Sequence, residues 1–576
     1  MQQAGVRAIP RGGSARAFIS RVLILVFALG FGLAARGEAQ TESFSPAIQA
    51  EIAQLGSKNR KKRRRAALGL AKRLEPKLLP LLLALREGSL YRWQPESGEA
   101  RFVIGGDAVT RGDEEYVPLF SIHGKKPLTS PDGNPFFVIE GKLNKIRAGR
   151  RIRRAIKPYL NQLQSSAQLY SADPNVRRAA ATRMARLGNK NLIPLLDKVL
   201  KSETHWLGRH ALIEAKALIG LKSPSPEDRR SAAAVLGEVH GLNAVSQLKR
   251  LADKDADPAV RTASSAAIKE IEGYLNWTAT IDTLFRGLSL GSILLLMALG
   301  LAIVFGLMGV INMAHGELMM LGAYATFIIQ GVFISYMPQN YFGWYFILAL
   351  PVAFLASALM GYLMEISIIR YLYGRPLETL LTTWGISLIL RQAVRQVFGA
   401  QNVDVKSPEW LSGGYHLMVG VQFPFNRMFI IALAVFCVAG TYLFLFRTRA
   451  GLRIRAVTQN RGMSTCLGVP SRRVDAGTFA FGAGLAGMAG AALSQVGNVG
   501  PDLGQNYIVD SFMVVVTGGV GKILGTIVAG FGIGGMNKML EPAMGAVFGK
   551  VVILVLVILF LQRRPEGLFA IRTRGA

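Results

Sequence analysis

The sequence predicts an all-α polytopic membrane protein of about nine transmembrane segments, some of them broken, preceded by an extracytoplasmic helical-repeat domain with a small β-rich insertion. Three observations predict it. The 576 residues are 51% apolar with a mean hydropathy of +0.31, more than one ordinary soluble domain shows. Charged residues crowd the chain before Tyr274 and thin out after Leu284. A short phrase recurs before that point, and long charge-free windows follow it. We therefore predict a signal peptide over residues 1–39, an extracytoplasmic domain over 40–277 and a transmembrane domain over 278–576.

The amino terminus has the three-part layout of a secretory signal peptide. Four arginines precede the apolar run Val22–Leu33, and Gly37 and Ala39 place small residues where a signal peptidase cuts. Arg36 and Glu38 are unusual near a cleavage site, so an uncleaved signal anchor is the alternative. Either form delivers residues 40 to about 277 outside the cytoplasm.

The extracytoplasmic half contains a repeated phrase. Asp173-Pro174-Asn175-Val176-Arg177 and Asp257-Pro258-Ala259-Val260-Arg261 each precede an alanine-rich helical pattern, and a weaker copy begins at Pro226. Aspartate caps a helix and proline fits its first turn, so each phrase predicts a helix start. The phrase resembles the HEAT-like repeat family, which implies stacked helix pairs. Residues about 89–141 hold short alternating strands between Pro, Gly and Asp, which predicts a small β-rich insertion.

The formal net charge of +31 does not indicate nucleic acid. Much of the basic excess lies in short loops between apolar segments, where Lys and Arg set membrane topology. The basic runs of the soluble half are interpreted as solvated helix faces or as contacts to anionic lipid headgroups. The two cysteines, Cys437 and Cys466, provide no disulfide framework, and the scattered histidines do not have metal-ligand spacing.

Windows without Asp, Glu, Lys or Arg predict the spans, because ionisable groups avoid the hydrocarbon. A second type of span, more polar, runs from Leu380 to about Phe398. The longest window holds two spans with a turn near Pro338, and the glycine-rich stretches Gly518–Gly521 and Gly530–Gly532 predict broken helices and close packing. The charge-free windows are 287–314, 318–364, 428–446, 476–501, 511–521, 523–537 and 551–562.

Loop charge predicts the orientation of the chain in the membrane. The connection from Arg447 to Arg473 and the tail after Arg563 are rich in arginine and should be cytoplasmic, as should the connection with Arg370 and Arg375. With residues 40–277 outside and the carboxyl terminus inside, the number of spans must be odd. A count of about nine satisfies that condition when the Gly518 region turns at the inner face.

One phrase in the membrane half is specific. Asn312-Met313-Ala314-His315-Gly316-Glu317, continued to Gly322, resembles the permease subunits of branched-chain amino acid ABC importers, and Tyr373-Gly374-Arg375-Pro376-Leu377-Glu378-Thr379 to Gly385 resembles their urea-importing branch. The resemblance covers nearly all of residues 280–570. It implies a permease domain over 278–576 in a bacterial inner (plasma) membrane. This domain would work with a second related permease subunit, two cytoplasmic ABC ATPase subunits and an extracytoplasmic urea-binding protein.

A urea pathway needs polar but uncharged groups in a narrow lumen. For each such residue, bonding between neighbouring helices is the alternative role. His315 and Glu317 join the candidates near the cytoplasmic end of the first span, where a structural hydrogen-bonded pair or a gate hinge is favoured over catalysis. The other candidates are Asn312, Thr379, Thr382, Thr383, Ser387, Ser494, Gln495 and Asn498.

The arginine-bearing loop from Thr458 to Asp475 is the predicted contact with the ATPase. By resemblance to ABC permeases, a short helix with Gly468 at its turn docks into the ATPase and transmits its closure; enforcing topology is the alternative role. The coupling candidates are Gln459, Asn460, Arg461, Leu467, Gly468, Val469 and Arg472.

The dipeptides Gly521-Lys522 and Gly549-Lys550 lack the remainder of a P-loop, so the chain is predicted to be no enzyme and to bind no cofactor. ATP is then used by the partner ATPases. The rival functions are a permease for branched-chain amino acids or other small amides, and a membrane-anchored repeat scaffold, for which nine spans are more than an anchor requires.

Overall fold

A computed structural model describes residues 44–569, except 58, 74, 96–99, 112–113, 124–125 and 130–135. The predicted signal peptide, residues 1–39, lies outside the described residues. The chain divides into two compact units, with the boundary between Ile219 and Gly220. Each unit is described by itself.

From residue 44, where the described chain starts, three helices surround an apolar core. They are α1 (Pro46–Leu55), α2 (Arg60–Lys72) and α3 (Leu79–Glu87). Asn59 starts α2, because its side-chain oxygen accepts a hydrogen bond from the backbone N–H of Lys61 at 2.9 Å. Gly88 ends α3 in the left-handed conformation, with φ at 83°. Leu70 and Leu81 are fully buried in the shared core, and the basic residues of α2 are exposed except for Arg63, which is half-buried.

Six short strands follow among the residues described, in the region where the sequence predicts strands. They are β1 (Leu90–Trp93), β2 (Arg101–Gly105), β3 (Val109–Arg111), β4 (Glu114–Ser121), β5 (Phe137–Ile139) and β6 (Asn144–Lys145). The order is β3-β4-β2-β1-β6, with β5 also paired to β4, and the pairs are antiparallel. Val103, Val117 and Leu119 bury one face of this sheet. The last strand extends past the predicted limit near residue 141.

The rest of the first unit is helical, and an ion pair joins two of its turns. The helices are α4 (Arg150–Gln168), α5 (Pro174–Leu187), α6 (Ile193–Ser202) and α7 (Trp206–Gly220). Asp173 caps α5 as predicted, with its carboxylate accepting from the N–H of Asn175 at 2.8 Å. Arg177 on α5 bonds both oxygens of the Glu203 carboxylate at 2.6 and 2.7 Å and donates to the carbonyl of Ser171 at 2.8 Å.

The second unit repeats this arrangement, in which an arginine near a helix start bonds a carboxylate and a backbone carbonyl; we call it the arginine clip. It begins with α8 (Pro226–Glu238), α9 (Val245–Lys254) and α10 (Pro258–Met308). Arg229 on α8 bonds both oxygens of Asp255 at 2.8 Å and donates to the carbonyl of Ser223 at 3.0 Å. Arginine and carboxylate are 26 residues apart in both clips. The equivalent Arg261 donates to the carbonyl of Asp255 at 2.8 Å.

The second clip predicts acid sensitivity of α8 and α9. The hydrogen bond from Arg229, helped by the backbone N–H of Asp257, lowers the pKa of the Asp255 carboxyl. The stability from this pair is therefore present above the usual aspartate pKa of about 3.9 and is lost as the pH falls through the lowered value. We expect hydrogen-exchange protection of α8 and α9 amides, normalised to the unfolded rate, to fall on acidification. The Arg229→Gln variant should show lower protection at neutral pH and a weaker pH dependence; an unchanged profile would contradict the role of the clip.

Helix α10 runs for 51 residues from the last predicted repeat into the apolar half without a break at the predicted boundary of 277 and 278. Asp257 caps its start, with a hydrogen bond from the N–H of Ala259 at 2.8 Å. The Tyr274 hydroxyl donates to the carbonyl of Val419 at 2.9 Å, and the ring of Phe285 stacks on Phe423 at 4.1 Å. These contacts hold α10 to a hairpin of β7 (Gly414–Met418) and β8 (Val421–Pro424).

The membrane half contains the remaining helices. They are α11 (His315–Tyr336), α12 (Tyr345–Ser367), α13 (Pro376–Phe398), α14 (Phe425–Arg447), α15 (Arg449–Gln459), α16 (Arg461–Cys466), α17 (Ser471–Leu493), α18 (Leu503–Gly518) and α19 (Ile523–Arg563). Six stretches of the described chain are long and apolar enough to cross a membrane: α10, α11, Gln339–Tyr371 with α12, α14, α17 and α19. Helix α13 is more polar, as the sequence predicts, and α18 has only 16 residues.

The glycine-rich stretches behave differently from one another. A break does occur at Gly518–Gly521, between α18 and α19. Gly530, by contrast, lies inside continuous helix, so the predicted break there is wrong. A Cβ built on neighbouring Gly291 of α10 would lie 3.0 Å from the carbonyl oxygen of Gly530, which shows close helix packing instead. The helix breaks later, at Gly545, where φ is 79°.

Candidate functional site

The site begins where the chain reverses between α10 and α11. Residues 309–314 are not helical, and the Nε2 atom of His315 lies 3.2 Å from the carbonyl oxygen of Met297. Met297 is about three helical turns before the end of α10 at Met308. The segment therefore folds back along α10, and α11 begins about three helical turns before the end of that helix. His315 thus lies back from the end of α10 and not at it, whereas its predicted closeness to the cytoplasm stays a prediction.

Polar side chains supply the hydrogen bonds that this irregular backbone needs. The Oδ1 atom of Asn312 accepts from the N–H of Ala314 at 3.0 Å, and the hydroxyl oxygen of Thr383 accepts from the N–H of Met313 at 3.0 Å. Asn312 is 1% exposed and Thr383 is fully buried. Without water to bond the backbone, non-helical chain inside a bundle requires such partners. Both residues are sequence-predicted pathway candidates, and both bond this reversal.

A charge network surrounds the start of α11. One Arg391 nitrogen lies 3.3 Å from the Oε1 atom of Glu317, and another lies 3.7 Å from Asp502. Arg395 donates to both oxygens of Asp502 at 2.8 and 2.9 Å. The Glu317 and Arg391 side chains are 3% and 14% exposed, so this pair is largely desolvated. The network links α11 and α13 to the residue that precedes α18.

One expectation about these residues needs correction. Glu317 pairs with Arg391 and not with His315, which bonds Met297 instead. Residues two apart on a helix do not face each other, so this outcome follows from helix geometry. Sequence reasoning missed Arg391 and Arg395; the available signal was two arginines one helical turn apart inside a segment predicted to span the membrane.

The amino-terminal ends of α11 and α18 meet beside this network. A Cβ built on Gly316 would lie 2.6 Å from the carbonyl oxygen of Gly504, so the two backbones are in direct contact there. Helix amino termini carry partial positive charge and unpaired N–H groups. Two such termini, together with the Glu317–Arg391 pair, form what we call the central junction. Interrupted helices that meet inside a bundle are a common way to build a transport pathway.

Three candidates of α13 share the face that points into the protein. Thr379, Thr383 and Ser387 follow one another at helical spacing and are buried, and Arg391 continues this face. The hydroxyl of Thr379 donates to the carbonyl of Arg375 at 2.8 Å, on its own helix. Thr382 is only half-buried and lies off this face. The structure thus brings three of the four predicted α13 residues to one side.

The remaining candidates lie elsewhere, at the end of the bundle where α17 finishes, which we call the Leu493 end. Ser494, Gln495 and Asn498 line a cavity of about 250 Å³ together with residues 404–407. The Gln495 amide donates to the Tyr345 hydroxyl at 3.3 Å, and that hydroxyl donates to the carbonyl of Lys406 at 2.6 Å. The predicted pathway residues therefore form two groups, at the central junction and at this cavity.

The membrane bundle contains buried carboxylates, although the charge-free windows themselves contain none. Four are buried, and each lies just outside the edge of such a window. Each has a basic partner, which offsets part of the cost of taking a charge out of water. The pairs are Glu317 with Arg391 at 3.3 Å, Glu365 with Arg370 at 3.4 Å, Asp475 with Arg461 at 2.5 Å and Asp510 with Lys550 at 2.8 Å.

The predicted coupling segment contains a short helix, α16, with Gly468 at the turn that follows. Asn460 caps α16, since its side-chain oxygen accepts from the N–H of Met463 at 2.9 Å. The φ of Gly468 is 82°, a conformation that favours glycine. Val469 is half-buried. The other candidates are exposed: Gln459, Asn460, Arg461, Leu467, Gly468 and Arg472.

Arg461 ties α16 to the rest of the bundle. Its guanidinium lies 2.5 Å from the Asp475 carboxylate on α17 and 4.7 Å from the centre of the Tyr373 ring. The Tyr373 hydroxyl in turn donates to Glu365 on α12 at 3.2 Å. A movement of α16 would therefore be transmitted to α17 and to the end of α12. Arg472, by contrast, is exposed.

Long apolar helices around interrupted helices and a buried polar junction define the class as a multi-pass membrane transport protein. Residues 283–561 match the family described as branched-chain amino acid transport system, permease component. The chain is 30% identical to the high-affinity branched-chain amino acid transport system permease protein BraD of Pseudomonas aeruginosa over 294 residues, which is 50% of this chain and 95% of that protein. The LivH permease protein of Escherichia coli K12 is 30% identical over 301 residues, 50% of this chain and 94% of LivH. A probable LivH permease protein of Methanocaldococcus jannaschii is 26% identical over 297 residues, which is 48% of this chain and 88% of that protein.

The chain belongs to this branched-chain amino acid transport permease family. It is a permease component of an ABC transport system and a multi-pass protein of the inner membrane. The family-level prediction is thereby confirmed. The matched region begins at residue 283, so the similarity concerns the membrane half.

Proposed function

We propose that this permease forms the translocation pathway for urea. The observation that carries the proposal is the chemistry of the central junction: its charged groups are engaged with one another, and the other polar groups beside them are neutral amide, imidazole and hydroxyl groups. Urea is small and neutral and forms hydrogen bonds on every edge, so uncharged donors and acceptors suit it. The phrase from Tyr373 to Gly385, which resembles the urea-importing branch, supports the same solute.

The partners proposed are a second related permease subunit, two cytoplasmic ATPases and an extracytoplasmic urea-binding protein. The segment 458–475 would receive the ATPase, and its exposed short helix with an internal tether through Arg461 supports that role. The six long apolar stretches, α13, α18 and the break of α19 at Gly545 are compatible with about nine segments. That odd number agrees with the orientation that the arginine-rich loops predict.

For residues 40–277 we propose a HEAT-like repeat domain outside the cytoplasm. The recurring arginine clip supports it, because Arg177 and Arg229 make the same set of contacts at equivalent helix starts. In stacked repeats each unit contacts chiefly its neighbours, so an identical contact in successive units is expected.

A permease for branched-chain amino acids is the second candidate. The names of the relatives favour it, and so does the Glu317–Arg391 pair. If that pair separated, its carboxylate would suit an ammonium group and its guanidinium a carboxylate, as a zwitterion requires. Binding of urea, small amides and leucine to the partner solute-binding protein would distinguish the two candidates directly.

Uptake in cells tests the proposal. We expect a strain that lacks this chain to lose uptake of radiolabelled urea at low external concentration, where passive entry is slow, and a plasmid-borne wild-type copy to restore it. Leucine uptake in the same strains is the control. Unchanged urea uptake, or loss of leucine uptake alone, would refute urea as the solute.

A further inference from the structure

Among the buried atoms without a hydrogen-bond partner at the central junction, two belong to uncharged side chains, and the first of these is on His315. The side chain is fully buried, and its Nε2 atom lies 3.2 Å from the Met297 carbonyl. A carbonyl oxygen only accepts, so Nε2 carries the proton, and Nδ1 of the neutral ring is a bare acceptor. The carboxylate nearest to His315 in sequence, that of Glu317, is paired with Arg391. It is therefore not free to stabilise the positive charge that a second proton, on Nδ1, would give the ring. Within the described part of the chain, Nδ1 has no hydrogen-bond partner.

The second unpaired atom belongs to Asn312, three residues earlier. Its Oδ1 accepts from the N–H of Ala314, which fixes the orientation of the amide and makes Nδ2 the donor. Nδ2 is buried and, among the residues described, has no acceptor. The reversal thus presents one fixed acceptor and one fixed donor, both uncharged, beside the start of α11.

Leaving such groups unpaired is costly. A buried donor or acceptor without a partner costs about 1–3 kcal/mol, so native structures keep few of them and each requires an explanation. Neither atom is needed to hold the chain reversal together, because Asn312 and His315 already make their structural hydrogen bonds through Oδ1 and Nε2. The free atoms are therefore available to a ligand.

We infer that Asn312 and His315 form a solute-recognition pair for a small neutral amide. The Asn312 Nδ2 donates to the solute carbonyl, and the His315 Nδ1 accepts from a solute N–H. The inference rests on the proposed function and names the atoms that recognise urea in it. The pair is shielded in this conformation, because a Cβ on Gly300 would already lie 3.1 Å from the imidazole. The solute reaches the pair when α10 and α11 separate.

Transport by the complete reconstituted system, with its ATPase and solute-binding protein in proteoliposomes, tests the pair. His315→Gln places an amide donor near the Nε2 position, so the bond to Met297 is kept and the Nδ1 acceptor is lost. Asn312→Asp keeps an oxygen for the N–H of Ala314 and removes the donor. For each we expect the apparent KM for urea to rise by about 10-fold in complexes that retain the ATPase. Thr441→Val is the matched control, because the Thr441 hydroxyl is also buried and unpaired but lies on α14.

The outcomes separate the two levels of the hypothesis. Normal urea transport by the wild type with an unchanged KM in either folded variant would overturn the recognition pair and leave the proposed function standing. Wild-type transport of leucine without transport of urea would overturn the proposed function and the pair with it. A KM that rises equally in Thr441→Val would also overturn the pair, because any buried polar change would then suffice.

Discussion

Replacing Gly490 with alanine is expected to prevent the membrane bundle from assembling. A Cβ at this position of α17 would overlap the carbonyl oxygen of Met319 and lie 2.9 Å from the backbone nitrogen of Ala323, both on α11. Backbone atoms inside two packed helices cannot move aside as a flexible side chain can. Overpacking of a core costs about 1–3 kcal/mol, and a clash with backbone belongs at the upper end. Helices α11 and α17 would have to separate, and the central junction would be lost with them.

The measurement is the yield and thermal stability of the detergent-solubilised protein by size-exclusion chromatography. Gly477→Ala is the matched control, since it lies on the same helix and a Cβ there meets nothing within 4 Å. Alanine has the higher helix propensity, so the control should be as stable as the wild type or slightly more stable. A Gly490→Ala variant that elutes and melts like the control would show that this helix contact is not tight.

Much of the fold is local and was predictable. Charge-free windows mark α11, α12, α14 and α17, because exclusion of charge from hydrocarbon acts on every residue independently. The composition shift near residue 277 is real, yet it marks a change in the surroundings of α10 and no break in the helix. Helix continuity depends on backbone bonding, which a change from polar to apolar side chains does not interrupt.

The arrangement of the site was only partly predictable. Helical spacing alone places Thr379, Thr383 and Ser387 on one face. The reversal at residues 309–314 involves the contact of His315 with Met297, and the role of Arg391 follows from its ion pair with Glu317 on another helix. Such tertiary contacts leave no periodic trace in one sequence. The glycines of α19 illustrate the same limit, since Gly530 packs against α10 and continues its helix, whereas Gly545 breaks the helix.

Reversing the charge of Arg472 is expected to weaken docking of the ATPase and thereby to reduce transport. The proposal places this exposed arginine on the surface that receives the ATPase, and the described contacts give it no role inside the bundle. We expect Arg472→Glu to lower co-purification of the ATPase and urea uptake by about 10-fold, equivalent to about 1.4 kcal/mol, with unchanged thermal stability. Arg563→Glu, an equal charge change on the exposed tail, should leave both near wild type. Normal co-purification with Arg472→Glu would count against docking at this segment.

Arg461 requires a different experiment, because it bonds inward. Arg461→Glu would place a carboxylate beside Asp475 and near Tyr373, so α16 should detach from α17 and from the end of α12. We expect ATPase binding to persist while transport fails, because the contact that would transmit the movement of α16 is lost. The double variant Arg461→Asp with Asp475→Arg restores opposite charges across the contact and should recover part of the uptake. Recovery of uptake would show that the ion pair itself transmits the movement of α16. If uptake by the double variant is no better than that of Arg461→Glu, Arg461 acts through another contact, such as the one with the Tyr373 ring.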